Sequence, residues 1–361
     1  MKYPVMIVNE AKILQNALRV AELCRKSNID VWGVTKGLSG DPRLAFIYRD
    51  AGFKGAADSR LANLEKLKDS GVPLPRQLMR IAMRTELAGV IRTADVSLQS
   101  EIDTIKALDE LCVSEGMSHD VLLMMDMGDL REGFRPEETE DISRALRSLR
   151  AVRLKGVAAN YACASGVLPS RKNMENLVRC RDRLAESLET ELPAVSVGGT
   201  CCLKIIEDGD APDGVNQLRI CEGVILGTDT AFGRKIPYLD DGAITITAEI
   251  VECRYKPSVP DGDTGYQAFG EKPVFMDRGM RKRALLAIGR QDVNVGRITP
   301  VEHGVSIITA SSDHLIVDVT DADSEKSPEE GHRPGGTISF KPLYPAVLAC
   351  STSEYVEKRF E

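Results

Sequence analysis

The chain is poor in the residues from which many sites are built. Among 361 residues there is one tryptophan and only four histidines, His119, His303, His314 and His332. No two of the histidines share ligand spacing on a helix face, so no zinc site assembles from neighbours in sequence. No apolar run is long enough to cross a bilayer, and no apolar h-region behind a basic n-region opens the chain. No CxxC pair occurs among the nine cysteines, whose number is odd and of which Cys201 and Cys202 are adjacent. Reduced, mostly buried thiols are expected rather than a disulfide framework. Lys+Arg number 47 against 54 Asp+Glu, a net charge of −7, and no basic stretch is interleaved with aromatics. Nucleic acid and membrane are therefore not expected partners, and the cytoplasm is the expected location. No GxGxxG follows an early strand, which argues against a dinucleotide-binding fold.

What is present is an alternation. Short β-type runs at Val31–Thr35, Lys54–Ala57, Gln77–Ala82, Asp95–Leu98, Val121–Met127, Leu154–Ala159, Ala194–Val197 and Val215–Arg219 are separated by stretches with helical periodicity. The helical stretches include Pro42–Ala51, Arg60–Ser70, Ile102–Glu115, Glu137–Leu149 and Arg171–Glu191. Eight βα units predict a (β/α)8 barrel. A strand at Tyr3–Val8 and a helix from Asn9 to Ser27 precede it. After Tyr238 the helical periodicity gives way to β-type runs at 243–253, 283–288, 305–310, 315–319, 337–341 and 346–349, with a solvated loop over Asp321–Gly336 that carries Pro328. The expected organisation is a cofactor-binding barrel over residues 1–238, followed by a smaller all-β C-terminal domain over 239–361.

In such a barrel the chemistry lies at the C-terminal ends of the strands. The first strand delivers Lys36, an amine at the end of an apolar run and before a glycine. The fifth delivers Asp126 and Arg131, the sixth Asn160 and Tyr161, the seventh Gly198-Gly199-Thr200, and the eighth Arg219 with Glu222-Gly223. Two glycines and a hydroxyl after an apolar strand suit a phosphate, because the backbone can approach and donate. An imine-forming lysine, a phosphate cradle and a strand-end arginine together describe a pocket for pyridoxal phosphate.

These residues carry a family resemblance. Val34-Thr35-Lys36, the arginine of Leu218-Arg219-Ile220, the Asp-x-Gly-x-x-Arg character of the fifth strand and the segment Ser311–Asp321 resemble the alanine racemase superfamily, the fold type III pyridoxal phosphate enzymes. Thr35-Lys36-Gly37, Gly40-Asp41-Pro42, Ala57-Asp58-Ser59-Arg60, Arg219–Gly223, Lys272–Phe275 and Asp277-Arg278-Gly279 are most similar to the ornithine racemase group.

The resemblance implies an amino acid racemase acting on a basic amino acid such as ornithine, working as a homodimer with shared active sites and needing no metal. It implies that Lys36 holds the cofactor and is one of two bases at the substrate α-carbon. Arg219 pairs with the pyridine nitrogen and, keeping its own proton, leaves the ring a weaker electron sink. Thr200, Gly199, Gly223 and Tyr355 are expected at the phosphate, and Arg131 at the substrate carboxylate. Two positions depart from the alanine racemase pattern. Asn160 stands where a ring-packing histidine is usual, and Arg290 stands where the Gly-Tyr-x-Asp tyrosine acts as the opposite-face base. Asp292 is then the candidate second base, and Glu222, Asp58 or Asp292 the candidate partner for a distal ammonium. The alternatives are a metal-dependent D-threonine-aldolase-like lyase using His303 and His314, a non-catalytic pyridoxal-phosphate-binding protein, and a cofactor-free Schiff-base aldolase barrel.

Overall fold

The computed structural model describes residues 2–324, 326, 327 and 329–361. They form two compact units, Glu10–Asp241 and the combination of the described residues up to Asn9 with those from Gly242 to Glu361.

In the first unit eight parallel strands close into a barrel: Asp30–Val34, Gly55–Asp58, Arg76–Leu78, Val96–Gln99, His119–Met124, Val152–Asn160, Ala194–Gly198 and Gln217–Ile220. Closure places the first strand beside the eighth, with Gly33 opposite Ile220, so loops distant in sequence meet at one mouth. Alternate side chains build a core of Val96, Leu98, Leu122, Met124 and Ala158, against which Trp32, Met79 and Ile81 pack. Ser97 alternates with Val96 and Leu98 and bonds His119 Nε2 at 2.9 Å. Burial pushes the His119 imidazole down to about 4, so it is neutral at physiological pH.

The helices begin where capping chemistry allows. Asp41 accepts from Arg43 N ahead of Pro42–Asp50, and Ser170 and Asn173 cap Arg171–Leu188 reciprocally. Ile102–Glu115 has its expected bounds and ends on left-handed Gly116. Leu87–Thr93, Cys202–Glu207 and Glu222–Leu226 were not expected; five to seven residues are too few to display a helical period. The third strand is also shorter than the expected 77–82.

The second unit is an eight-stranded sheet. Its central path runs Ile298–Pro300, Thr337–Pro342, Ile244–Pro257, Met280–Leu286, Leu315–Asp318 and Ser306–Ala310, all antiparallel neighbours. Val5–Val8 pairs antiparallel with Ile244–Pro257 and parallel with Glu357–Phe360. Val5–Val8, expected within the barrel domain of 1–238, thus belongs to this sheet. This is the expected β domain, and it carries helices beside the sheet. The expected strand at 346–349 is part of a helix, Tyr344–Thr352, which opens with proline in its first turn and buries Ala346, Val347 and Cys350. The expected loop over 321–336 starts inside one helical turn, Thr320–Asp323, and its Pro328 lies outside the described residues. No helix among the described residues is long and apolar enough to cross a membrane.

Candidate active site

Lys36 opens a single 3₁₀ turn, Lys36–Leu38, directly after the first barrel strand. Its half-buried amine has no hydrogen bond or ion pair with any described residue. The turn is held by its neighbour instead. Thr35 donates its hydroxyl to Asp58 Oδ2 at 2.7 Å, and Asp58 Oδ1 accepts from Arg60 N at 2.9 Å and Asn63 Nδ2 at 3.0 Å. Burial raises the Asp58 carboxyl above its ordinary range against the pull of these donors. Asp58, a candidate for a substrate ammonium, is therefore committed to fixing the backbone that carries Lys36.

Arg219 lies on the eighth strand with 2% of its surface exposed. Its Nη1 donates to Ser196 Oγ at 3.1 Å, and its Nη2 to the Ala159 carbonyl at 2.8 Å and Asn160 Oδ1 at 2.9 Å. Among the described residues no carboxylate bonds to it, and its Nε has no partner. Burial lowers its affinity for the proton to about 10, so it stays a cation at neutral pH. A buried guanidinium with a vacant donor is costly unless a ligand completes it. The neighbouring Tyr161 hydroxyl is buried without a partner as well, and burial raises its proton affinity.

The seventh and eighth strands supply the small-residue cradle. A Cβ on Gly198 would stand 2.4 Å from Arg219 Nη2 and 2.5 Å from Asn160 Oδ1, so only glycine lets these two groups meet. Gly199 takes φ +111°. Thr200 Oγ1 accepts from Gly223 N at 3.0 Å, which leaves the hydroxyl proton free to donate, and a Cβ on Gly223 would press Thr200 at 2.9 Å. The Thr200 and Cys201 amides donate to no described residue. A free amine, an orphaned cationic donor and a hydroxyl-and-amide cradle fit pyridoxal phosphate, which needs an imine former, a ring-nitrogen partner and a phosphate site.

Arg131 reaches this group through a residue the sequence did not flag. Both Glu132 carboxylate oxygens accept from Arg131, and Glu132 Oε1 also accepts from Asn160 Nδ2 at 2.9 Å. The pairing with Glu132 raises the proton affinity of Arg131. Asp126 accepts from Gly128 N and Leu130 N within its own loop. Buried Asp129 accepts from the amides of Cys163, Ala164 and Ser165, tying the loop after the fifth strand to that after the sixth. Burial would raise Asp129, but these amides outweigh it and hold the carboxyl low.

Other expected residues are placed differently. Glu222 Oε1 accepts from Thr228 Oγ1 at 2.8 Å and from Thr230 N at 3.0 Å, so it braces a turn and makes no bond to Arg219. Asp292 and Tyr355 lie in the sheet unit. Asp292 is 7% exposed, with Oδ1 accepting from Ser353 Oγ at 2.9 Å and Oδ2 from Gly289 N at 3.2 Å. Tyr355 is 65% exposed. Arg290 donates to Glu271 and lies over the Phe269 ring at 4.7 Å. His303 and His314 are both exposed, and no three His, Cys, Asp or Glu side chains among the described residues are grouped to hold a metal ion.

Residues 8–213 match the model of the alanine racemase N-terminal domain. The chain is 36% identical over 357 residues to an ornithine racemase of Acetoanaerobium sticklandii, covering 99% of each. It is also 36% identical over 362 residues to a lysine racemase of Thermotoga maritima, covering 100% of this chain and 99% of that one. Among solved structures, the alanine racemase of Clostridium difficile 630 has the same fold, with a TM-score of 0.75 at 15% identity over 100% of this chain and 96% of that one. On the matched domain and these full-length relatives, the chain belongs to the alanine racemase family.

Proposed function

We propose that the protein is a pyridoxal-phosphate-dependent racemase that interconverts the L and D forms of a basic amino acid, ornithine or lysine. The observation that carries this reading is Arg219, a buried cation with an orphaned Nε in the same barrel mouth as the partner-free amine of Lys36. The full-length similarity to an ornithine racemase and a lysine racemase supports the substrate class.

When bound, the cofactor supplies the electron sink that makes the substrate α-proton acidic. Lys36 holds it through Nζ and then takes or returns that proton on one face. Arg219 donates its Nε–H toward the ring nitrogen and, because a guanidinium does not release its proton, leaves that nitrogen unprotonated. Asn160 and Gly198 hold Arg219 at this angle. Thr200, with the backbone of Gly199 and Gly223, binds the phosphate, and Tyr355 adds a hydroxyl. Arg131, whose Nε and Nη2 already donate to Glu132, binds the substrate carboxylate through N–H groups that this pairing leaves over.

The opposite-face base belongs to the sheet unit, where Asp292 is the candidate, although its two oxygens already hold Gly289 and Ser353. Glu222, bonded to Thr228 and Thr230, supports the cofactor end of the eighth strand through that turn. The assembly is a homodimer with shared active sites. The exposed apolar side chains of Tyr266, Val274 and Met276, at 77, 95 and 77% exposure, support such an interface. Nine unpaired thiols support a reducing, cytoplasmic setting.

The test is spectroscopic. The purified protein should show the visible absorption of a lysine-bound cofactor, and Lys36→Ala should abolish it. A colourless wild type that takes up no cofactor contradicts the reading. Activity that survives a chelator separates racemisation from the metal-dependent lyase alternative.

A further inference from the structure

Among the described residues Arg219 bonds to no carboxylate, yet a second cation, Arg131, belongs to the same cluster. The two are joined by one continuous set of hydrogen bonds from Arg131 to Glu132, Asn160 and Arg219. Each link in it has only one possible sense. A guanidinium has no acceptor, so Asn160 must turn Oδ1 to Arg219; a carboxylate has no donor, so the amide must turn Nδ2 to Glu132. Glu132 thereby fixes the orientation of the amide that fixes Arg219. The same carboxylate grips Arg131 with both oxygens, an arrangement that sets direction as well as distance.

Arg131 and Glu132 are neighbours in sequence, and an adjacent exposed ion pair would ordinarily be worth little. Here the loop shape is imposed. Asp126 N bonds the Phe134 carbonyl at 2.8 Å, and Phe134 N bonds that of Met124 at 2.8 Å. Gly133, at φ +133°, leaves no room for a Cβ, which would fall 2.5 Å from Asp126 N. Asp129 fastens this closed loop to residues 163–165, just beyond Asn160. Glu132 is therefore held beside Asn160 by backbone rather than by the ion pair. Within this hydrogen-bonded set two guanidiniums share one carboxylate.

We propose that Glu132 is a positioning residue that couples the substrate-binding and cofactor-binding arginines, holding Arg131 directly and Arg219 through Asn160. Glu132 raises and Arg131 lowers the proton affinity of Arg219, as expected of charges that share one cluster. The coupling rests on the functional reading above.

The experiment is a double-mutant cycle on Glu132→Gln and Asn160→Ala. It reads the dissociation constant of pyridoxal phosphate from the apo protein, and KM and kcat for ornithine or lysine on the reloaded enzyme. Glu132→Gln should raise KM about tenfold and weaken cofactor binding about fivefold in the wild-type background. With Asn160→Ala already present, Glu132→Gln should no longer change cofactor affinity, while its effect on KM should remain. Glu132→Asp, which keeps the charge, should recover part of both and serves as the test if Glu132→Gln does not fold. The proposal is overturned if the Gln variant leaves cofactor affinity and KM within about twofold of wild type, or if its effect on affinity is the same in both backgrounds. It is equally overturned if Glu132→Asp, used alone, changes affinity equally with and without Asn160. A wild type that binds no pyridoxal phosphate overturns the functional reading and this coupling together, whereas a wild type that binds it with unaltered variants overturns the coupling alone.

Discussion

Two arginines, one buried in the barrel and one half-buried in the sheet unit, are treated in opposite ways. In the barrel, Arg219 is almost wholly enclosed and, among the described residues, bonds to no carboxylate and leaves Nε without a partner; burial dominates and lowers its proton affinity. In the sheet unit, Arg281 donates to Asp318 at 2.7 Å and to Asp321 at 2.7 Å, and these pairings raise its proton affinity. The same unit joins Asp323 to Lys282 at 2.6 Å and to His332 Nδ1 at 2.6 Å. Arg281, Lys282 and His332 in the sheet unit are completed by the chain's own carboxylates, although Arg283 Nε there also lacks a partner. The barrel keeps a cation and an amine uncompleted, an expense that only a ligand offsets.

The largest effect expected from this contrast is at the two lysines. Lys36→Ala should lower kcat by about 10³-fold or more and abolish retention of the cofactor, because on the proposed reading Lys36 is the covalent anchor and a base together. Lys282→Ala should leave cofactor uptake unchanged and lower the unfolding midpoint of the sheet unit. Equal loss of cofactor in both variants would break the comparison. The arginines sharpen it. Arg219→Ala should weaken pyridoxal phosphate about 100-fold, measured by titrating the apo protein, with little movement in apo stability. Arg281→Ala should cost about 2 kcal/mol in denaturant unfolding, because Asp318 is left buried and unpaired, and should not touch affinity.

Acid should unfold the barrel through His119. Its folded affinity lies near 4, below the ordinary imidazole value, so its neutral form is the one that fits. That contribution is complete above about pH 6.5 and is lost as pH falls toward 4, up to about 3 kcal/mol over the window. His119→Gln should flatten this slope while the slope from the sheet unit persists. The smallest effect is expected at Asp292. Asp292→Asn should cost about 1 kcal/mol of stability. Unchanged exchange of the substrate α-proton with solvent in that variant would remove Asp292 as the second base.

The barrel was legible because each of its strands is a short apolar run bounded by turn residues, and the end of a run marks where a side chain reaches the mouth. Lys36, Thr200 and Arg219 stand at such ends. Glu132 was not legible, because neighbours in an extended chain point to opposite sides. It meets Arg131 only where Gly128 at φ +108°, Leu130 at +51° and Gly133 at +133° fold the loop back. Glu222 looked like a pocket carboxylate because it follows Arg219 by three residues; the turn that returns Thr228 and Thr230 to it carries no periodic signal. Ala346–Ala349 reads as a strand from its apolar content alone, whereas the proline ahead of it starts a helix.

The most direct measurement follows L-ornithine, then L-lysine, incubated with the cofactor-loaded protein in deuterium oxide, with chiral chromatography and mass spectrometry of the recovered amino acid. The account predicts the D enantiomer carrying deuterium at the α-carbon, formed in the presence of a chelator and abolished by Lys36→Ala. Recovery of only the unlabelled L enantiomer of both amino acids from protein that has bound pyridoxal phosphate would contradict it.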